Sequence, residues 1–246
     1  MSVAESPIQL FLLGGVELRG VDARRAAKVL AQSKLAALLA VLALAPDGRM
    51  LRRDKLVGLL WPELDQPHAR TALRKAIHAL RGLLGADALT TRGDEEIGLD
   101  AAQVWCDAAD LRASADAGKL ARVLDLYRDE LMPGFFLAEC TAFERWLEEE
   151  RTLARERAAA ALWALAQQNE AEGKLTMAGS YAKRIVRFAW DDERVFRRAL
   201  TMLDRIGDRA GALKAAEEFV ERMRKELDAS PSPETTKLIE SLRSTA

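Results

Sequence analysis

The feature that most constrains this chain is a stretch with two chemically different faces, residues 69–85, which reads ARTALRKAIHALRGLLG. At 100° per residue, its larger apolar side chains fall on one stripe, which predicts an amphipathic helix with a core face. That stripe contains Leu73, Ala76, Ile77, Leu80 and Leu84. The opposite face holds neutral polar and cationic groups only: Thr71, Arg74, Lys75, His78 and Arg81. Gly85 follows where a left-handed cap would end the helix.

This helix has the chemistry of a surface that binds an anion. A cationic face without a carboxylate suits a phosphate backbone, and Arg, Lys, Thr and His side chains can also reach base edges. We therefore interpret residues 69–85 as a DNA recognition helix. The alternative is an ordinary solvated helix face, so the surrounding sequence has to decide.

Charge is distributed unevenly along the chain. The 246 residues include 37 Lys and Arg against 38 Asp and Glu, a net charge of −1, so no global field attracts nucleic acid. Between positions 49 and 81, however, there are eight Lys or Arg residues and three Asp or Glu residues. With 49% hydrophobic and 30% charged residues, the composition predicts a folded protein long enough for two domains.

Metal, cofactor and membrane functions find little support. The two cysteines, Cys106 and Cys140, and the two histidines, His68 and His78, lack zinc-site spacing, so we expect no metal, no cofactor and no catalysis. No basic segment precedes the first apolar run, which argues against a signal peptide. The longest apolar stretch, 35–45, is too short to span a bilayer. We expect a cytoplasmic protein with no membrane partner.

The first half of the chain predicts a winged helix. Residues 8–18 indicate two strands around a glycine turn, a further short strand is expected near 27–30, and together they would form a small antiparallel platform. Ser33 is expected to cap a buried helix over 34–44, and a turn follows at 46–48. A helix over 52–60 with Leu56, Leu59 and Leu60 inward, the loop 62–68 and the helix 69–85 come next. Strands over 89–92 and 97–99 then form a hairpin, which completes the winged-helix order of helix, turn, helix and hairpin.

The second half predicts helices only, so the fold class is mainly α, with an α+β winged helix at 1–110 and an all-α repeat domain at 111–246. Expected helices cover residues 118–131, 140–169, 175–188, 192–206, 209–227 and 233–242, and the second of these could be broken internally. Small residues recur at a spacing of 34, the tetratricopeptide period: Gly173, Ala178 and Ala182, then Gly207, Ala212 and Ala216. The five tryptophans are expected to pack in the core or at interfaces rather than form a ligand cage: Trp61, Trp105, Trp146, Trp163 and Trp190.

The order and spacing of several segments resemble the bacterial regulators of the SARP/BTAD family, which pair an OmpR-type winged helix with a bacterial transcriptional activator domain. The resemblance covers roughly residues 8–242. It rests on KLAALLAVLAL (34–44), RDKLVGLLWPE (53–63), the recognition-helix segment, VWCDAADL (104–111), YRDELMPG (127–134), FERWLEEER (143–151) and SPSPETTKL (230–238).

The resemblance implies a transcriptional activator that binds promoter direct repeats as side-by-side copies and recruits RNA polymerase. It also implies a homodimer on double-stranded DNA. It implies that helix 69–85 enters the major groove, that Arg92 and the wing lie near the minor groove, and that the loop 61–68 faces polymerase with Glu63 and Asp65. One departure is the wing tip, which reads Gly-Asp-Glu-Glu at 93–96. Such a tip either points away from DNA or makes weak contacts, because carboxylates repel phosphates.

The predicted roles within the interface differ. Arg74, His78 and Thr71 are candidates for base contacts, and Lys75 and Arg81 complete the DNA-facing set. Phosphate contacts are expected from Arg70, Arg49, Arg52, Arg53 and Lys55. The last four could equally pair with Asp47 and Asp54. The rival hypothesis is a helical-repeat module for protein–protein interaction whose winged helix no longer binds DNA specifically.

Overall fold

The computed structural model describes residues 8–46, 49–188 and 192–244, and these form two compact units. The first unit contains described residues of 1–117 together with 125–154, and the second contains 118–124 together with those of 155–246. The chain is mainly helical, and all of its named strands lie between Ile8 and Cys106, in the half of the chain where the sequence predicts strands. The expected turn at 46–48 and Trp190 lie wholly or partly outside the described residues.

The first sheet of the first unit is mixed rather than antiparallel. Its central strand β1 (Ile8–Phe11) pairs antiparallel with β2 (Glu17–Arg19) and parallel with β6 (Val104–Cys106), in the order β2-β1-β6. Leu10 is fully buried and lies opposite Leu18 and Cys106. The predicted glycine turn is present, with φ of 91° at Gly14. The parallel strand was not foreseen, because it arrives from a distant part of the chain.

The strand expected near 27–30 is wrong, because that segment is helix α1 (Ala23–Leu30). The carboxylate of Asp22 accepts a hydrogen bond from the Arg25 backbone N–H at 2.8 Å, which caps the helix. Ala26 is its buried residue, and Arg24, Arg25 and Lys28 are exposed. A short apolar run such as 27–30 does not by itself distinguish a strand from a helix. The Asp22 cap is a signal that favours the helix.

Helix α2 (Ser33–Ala43) has the predicted buried character, because every side chain from 35 to 42 is buried. Its start differs from the prediction. Gln32 occupies the cap position without a side-chain capping bond, and Ser33 is the first helical residue, so the expected Ser33 cap is wrong.

The winged-helix order is present in the first unit. Strand β3 (Leu51–Arg52) leads into α3 (Arg53–Leu60), α4 (Gln66–Leu84) and the hairpin of β4 (Leu89–Arg92) and β5 (Glu96–Leu99). The three strands form a second sheet in the order β3-β5-β4. Helix α3 buries Leu56 and Leu60 as predicted, but Val57 takes the place expected of Leu59, which is half-buried.

The segment after the wing differs from the prediction in two ways. Residues 107–116 form a helix that was not foreseen, α5 (Asp107–Asp116), and the helix expected over 118–131 is only α6 (Leu120–Leu126). Beyond α6, Leu131 forms a β-bridge with Leu13, and Arg151 donates to the Leu131 carbonyl at 3.0 Å. These contacts hold Leu131 outside the helix. Helix α7 (Thr141–Ala171) is continuous and not broken.

The second unit is helical throughout its described part, as predicted. It contains α8 (Leu175–Phe188), α9 (Glu193–Arg205), α10 (Arg209–Leu227) and α11 (Pro233–Ser244), and consecutive helices pack against each other. Phe196 and Phe219 stack in its core with ring centroids 3.8 Å apart.

The 34-residue spacing corresponds to real structural equivalence. Gly173 and Gly207 both end a helix with positive φ, at 72° and 85°. The alanines that follow them on α8 and α10 are all buried: Ala178, Ala182, Ala212 and Ala216. Small residues at these positions therefore let neighbouring helices approach closely.

Among the described helices, none alone is long and apolar enough to cross a bilayer. Within the described residues, one bent pair, α1 and α2 with 99° between them, reaches such a length and composition when taken together.

Candidate nucleic-acid interface

Helix α4 has the two faces that its sequence predicts. Its buried residues are Ala69, Leu73, Ala76, Ile77, Leu80 and Leu84. The helix begins three residues before position 69, because the Asp65 carboxylate accepts the His68 backbone N–H at 3.0 Å and Pro67 fits the first turn. It ends at Gly85 with φ 98° and ψ 157°, so the glycine is used at positive φ but outside the expected left-handed helical region.

The exposed face of α4 carries Thr71, Arg74, Lys75 and His78. Within the described ranges, no carboxylate lies at ion-pair distance from Arg74 or Lys75. The Thr71 hydroxyl donates to the Pro67 carbonyl at 2.9 Å, so its oxygen can act outward only as an acceptor. These side chains can therefore donate to, or in the case of Thr71 accept from, an approaching partner.

Two arginines of α4 are already engaged. Arg70 forms an exposed ion pair with Asp54 of α3 at 3.0 Å. Arg81 is half-buried and donates to the Leu89 carbonyl at 3.2 Å, where β4 begins. Part of the Arg81 donor capacity thus holds the wing to the helix, a role that the sequence pattern did not reveal.

The start of α3 contributes further cations. Arg52 and Lys55 are exposed, whereas Arg53 is largely buried, with 19% of its side chain accessible. The Arg53 guanidinium lies 4.0 Å from the Asp94 carboxylate, and its backbone N–H donates to the Glu95 carbonyl at 2.8 Å. Asp54 pairs with Arg70 and not with its own helix neighbours, while the predicted partner Asp47 is outside the described residues.

A groove of about 430 Å³ lies between α3, α4 and the wing tip. Its polar lining combines four arginines with three carboxylates: Arg52, Arg53, Arg70, Arg74, Asp54, Asp94 and Glu95. The wing tip therefore lines the same groove as the predicted phosphate-binding cations. Sequence reasoning noted its acidity but could not place it beside particular arginines.

Arg92 lies on the wing hairpin with 78% of its side chain exposed. Its guanidinium pairs with the Glu96 carboxylate at 3.2 Å, directly across the β4–β5 ladder. The pair is accessible, so it leaves Arg92 able to reach a phosphate.

The loop 61–68 holds its two acidic residues in intramolecular contacts that the sequence did not indicate. Glu63 forms an ion pair with Lys34, whose ammonium also lies 5.8 Å from the Trp61 ring centre. The hydrogen bond from Lys34 lowers the pKa of Glu63. The Asp65 carboxylate accepts the His68 N–H and lies 2.7 Å from His68 Nδ1, and these bonds lower the pKa of Asp65. Both carboxylates remain charged at neutral pH.

Residues 99–243, more than half of the chain, match the family described as "Bacterial transcriptional activator domain". No curated protein matches the chain. Among solved structures, the fold resembles that of Mycobacterium tuberculosis EmbR, determined in complex with a low-affinity phosphopeptide, with a TM-score of 0.57 at 18% identity. The similarity covers 98% of this chain and 66% of the EmbR chain, and it confirms the mainly helical fold with a small β-containing N-terminal part. As the resemblance to SARP/BTAD regulators predicts, the chain belongs to the bacterial transcriptional activator domain family, whose members are transcriptional regulators and not enzymes.

Proposed function

We propose that this chain regulates transcription by binding DNA sequence-specifically through helix α4. The observation that carries the proposal is the exposed face of α4, where Arg74, Lys75 and His78 lie opposite a fully packed apolar stripe. A rigid helix with unpaired donors on its outer face is the element that winged helices place in the major groove.

Phosphate contacts contribute affinity in this proposal, and base contacts contribute sequence preference. Arg52, Arg53, Arg70 and Arg92 neutralise phosphates and release counterions, which contributes affinity for any sequence. Arg74 and His78, with Thr71 as an acceptor, contact base edges and contribute sequence preference. Arg81 adds positive charge at the edge of the face while it holds the wing.

The resemblance to SARP/BTAD regulators supports the remaining parts of the proposal. The winged helix would comprise residues 1–110 and the activator domain 111–246, in a cytoplasmic regulator that binds direct repeats as a homodimer and recruits RNA polymerase. Contact with polymerase through Glu63 and Asp65 would have to use carboxylates that already pair with Lys34 and His68. A basic polymerase surface would therefore compete with Lys34 for Glu63.

The experiment is selection of bound sequences from a random duplex pool, carried out with the natural chain, Arg74→Ala, Arg52→Ala and the control Arg145→Ala. Arg145 is an exposed arginine of α7, outside the groove lining. We expect the natural chain to enrich a direct repeat. Arg74→Ala should relax sequence preference and cost about 1 to 3 kcal/mol on the selected site, whereas Arg52→Ala should weaken all sequences alike.

An enriched motif that survives Arg74→Ala unchanged would contradict the assigned role of α4. No enrichment above background with the natural chain would instead favour a protein-interaction module. The acidic wing tip and the intramolecular pairing of Arg70 are the observations that favour this rival.

A further inference from the structure

We propose that the wing-tip carboxylates of Asp94 and Glu95 limit the DNA affinity of this chain by competing with a backbone phosphate for the arginines of the groove between α3, α4 and the wing. The inference rests on the proposed function and adds a determinant of affinity to it.

Backbone pairing holds the tip at the groove. Strand β5 pairs with β3 so that Glu96 lies opposite Arg52, and with β4 so that it also lies opposite Arg92. One residue before Glu96, the Glu95 carbonyl accepts the Arg53 N–H at 2.8 Å. The tip is thus fastened to the start of α3 by main-chain bonds, and its side chains are not needed to keep it there.

The side chains of the tip are held much less firmly. Asp94 is fully exposed, and its ion pair with Arg53 spans 4.0 Å, the limit of such a contact. The Arg53 guanidinium is mostly buried, and its Nε has no hydrogen-bond partner among the described residues. Arg53 is therefore a cation whose charge is poorly compensated in the unbound chain.

A phosphate in this groove would form shorter, charge-assisted bonds with Arg53 than Asp94 does. It would also lie close to the carboxylates of Asp94 and Glu95, because the hairpin backbone keeps the wing tip at the groove. Repulsion between exposed charges at such distances is modest but weakens every DNA complex, whatever its sequence.

The test compares the natural chain with Asp94→Asn/Glu95→Gln in binding to a labelled random-sequence duplex, followed by fluorescence anisotropy between about 50 and 200 mM salt. The amides keep shape and backbone pairing while they remove two negative charges. We expect roughly threefold to tenfold tighter binding. The slope of log affinity against log salt should become steeper by about one. Arg53→Gln should weaken binding more in this background than in the natural chain.

The matched control is Asp116→Asn/Glu149→Gln, which makes the same charge change on exposed residues of the same unit, outside the groove lining. Its binding should match that of the natural chain. If the control tightens binding equally, or if the natural chain binds and the wing-tip variant binds no tighter, the inference is wrong. If neither the natural chain nor the wing-tip variant binds any duplex, the proposed function fails with it.

Discussion

The Glu193 carboxylate holds the start of the last helix through a small network of hydrogen bonds. It accepts from the Ser232 backbone N–H at 2.9 Å, from the Ser232 hydroxyl at 2.6 Å and from the Thr235 hydroxyl. Burial raises the pKa of Glu193, but the bonds from Ser232 and Thr235 and the charge of Arg197 outweigh it, so the pKa is lowered overall. A single side chain of α9 thus fixes the cap of α11.

We expect Glu193→Gln to reduce the free energy of unfolding by about 1 to 3 kcal/mol, because an amide cannot accept all of these bonds. A carboxylate with a lowered pKa stabilises the fold above its unfolded pKa and loses that effect as the pH falls through the folded pKa. The natural chain should therefore lose stability below about pH 4.5, and Glu193→Gln should lose less over the same range. Denaturant unfolding followed by circular dichroism across pH tests this, with exposed Glu240→Gln as the control. Parallel pH profiles for Glu193→Gln and the natural chain would contradict the assignment.

At the scale of elements, close packing of α10 depends on a glycine in its first turn. A Cβ at Gly211 would lie 2.5 Å from Asp208 Oδ1 and 2.6 Å from Lys183 Cε. Asp208 caps α10 through the Gly211 N–H and pairs with Lys183 of α8 at 2.6 Å. A side chain at position 211 would therefore disturb the cap and the ion pair together.

We expect Gly211→Ala to lower stability by about 1 kcal/mol, since the lost cap exceeds the gain in helix propensity. Gly58 of α3 provides the matched control, because a Cβ there meets nothing within 4 Å. Gly58→Ala should raise stability by up to about 1 kcal/mol. Thermal unfolding of both variants decides the point, and equal shifts of the same sign would show that propensity alone governs both sites.

At the scale of the whole molecule, the chain has a net charge of −1, and exposed cations of the first unit include Arg52, Arg74 and Lys75 at the start of α3 and on α4. Attraction to DNA must then be local, and it should depend steeply on salt because the Debye length is only about 10 Å at 0.1 M. We expect affinity for a random-sequence duplex to fall about 100-fold or more between 50 and 200 mM salt. Anisotropy titrations measure this fall, and a loss of less than about threefold would show that phosphate contacts do not drive binding.

The sequence by itself determined the elements whose signal is local. The stripe of α4, the hairpin of the wing and the helices α8 to α11 follow from periodicity, turn glycines and caps, which act over a few residues. The spacing of the small residues likewise anticipated the equivalence of Gly173 and Gly207. The resemblance to SARP/BTAD regulators, carried by ordered segments, pointed to the family.

Only the tertiary structure decided which charges meet. The pairing of Arg70 with Asp54, of Lys34 with Glu63 and of the wing tip with Arg53 joins residues that are 16, 29 and 41 positions apart. The parallel strand β6 and the early end of α6 have the same origin, because partners from distant segments supply their hydrogen bonds. Local periodicity specifies which face of an element is buried, but electrostatic partners depend on where the chain brings those faces together.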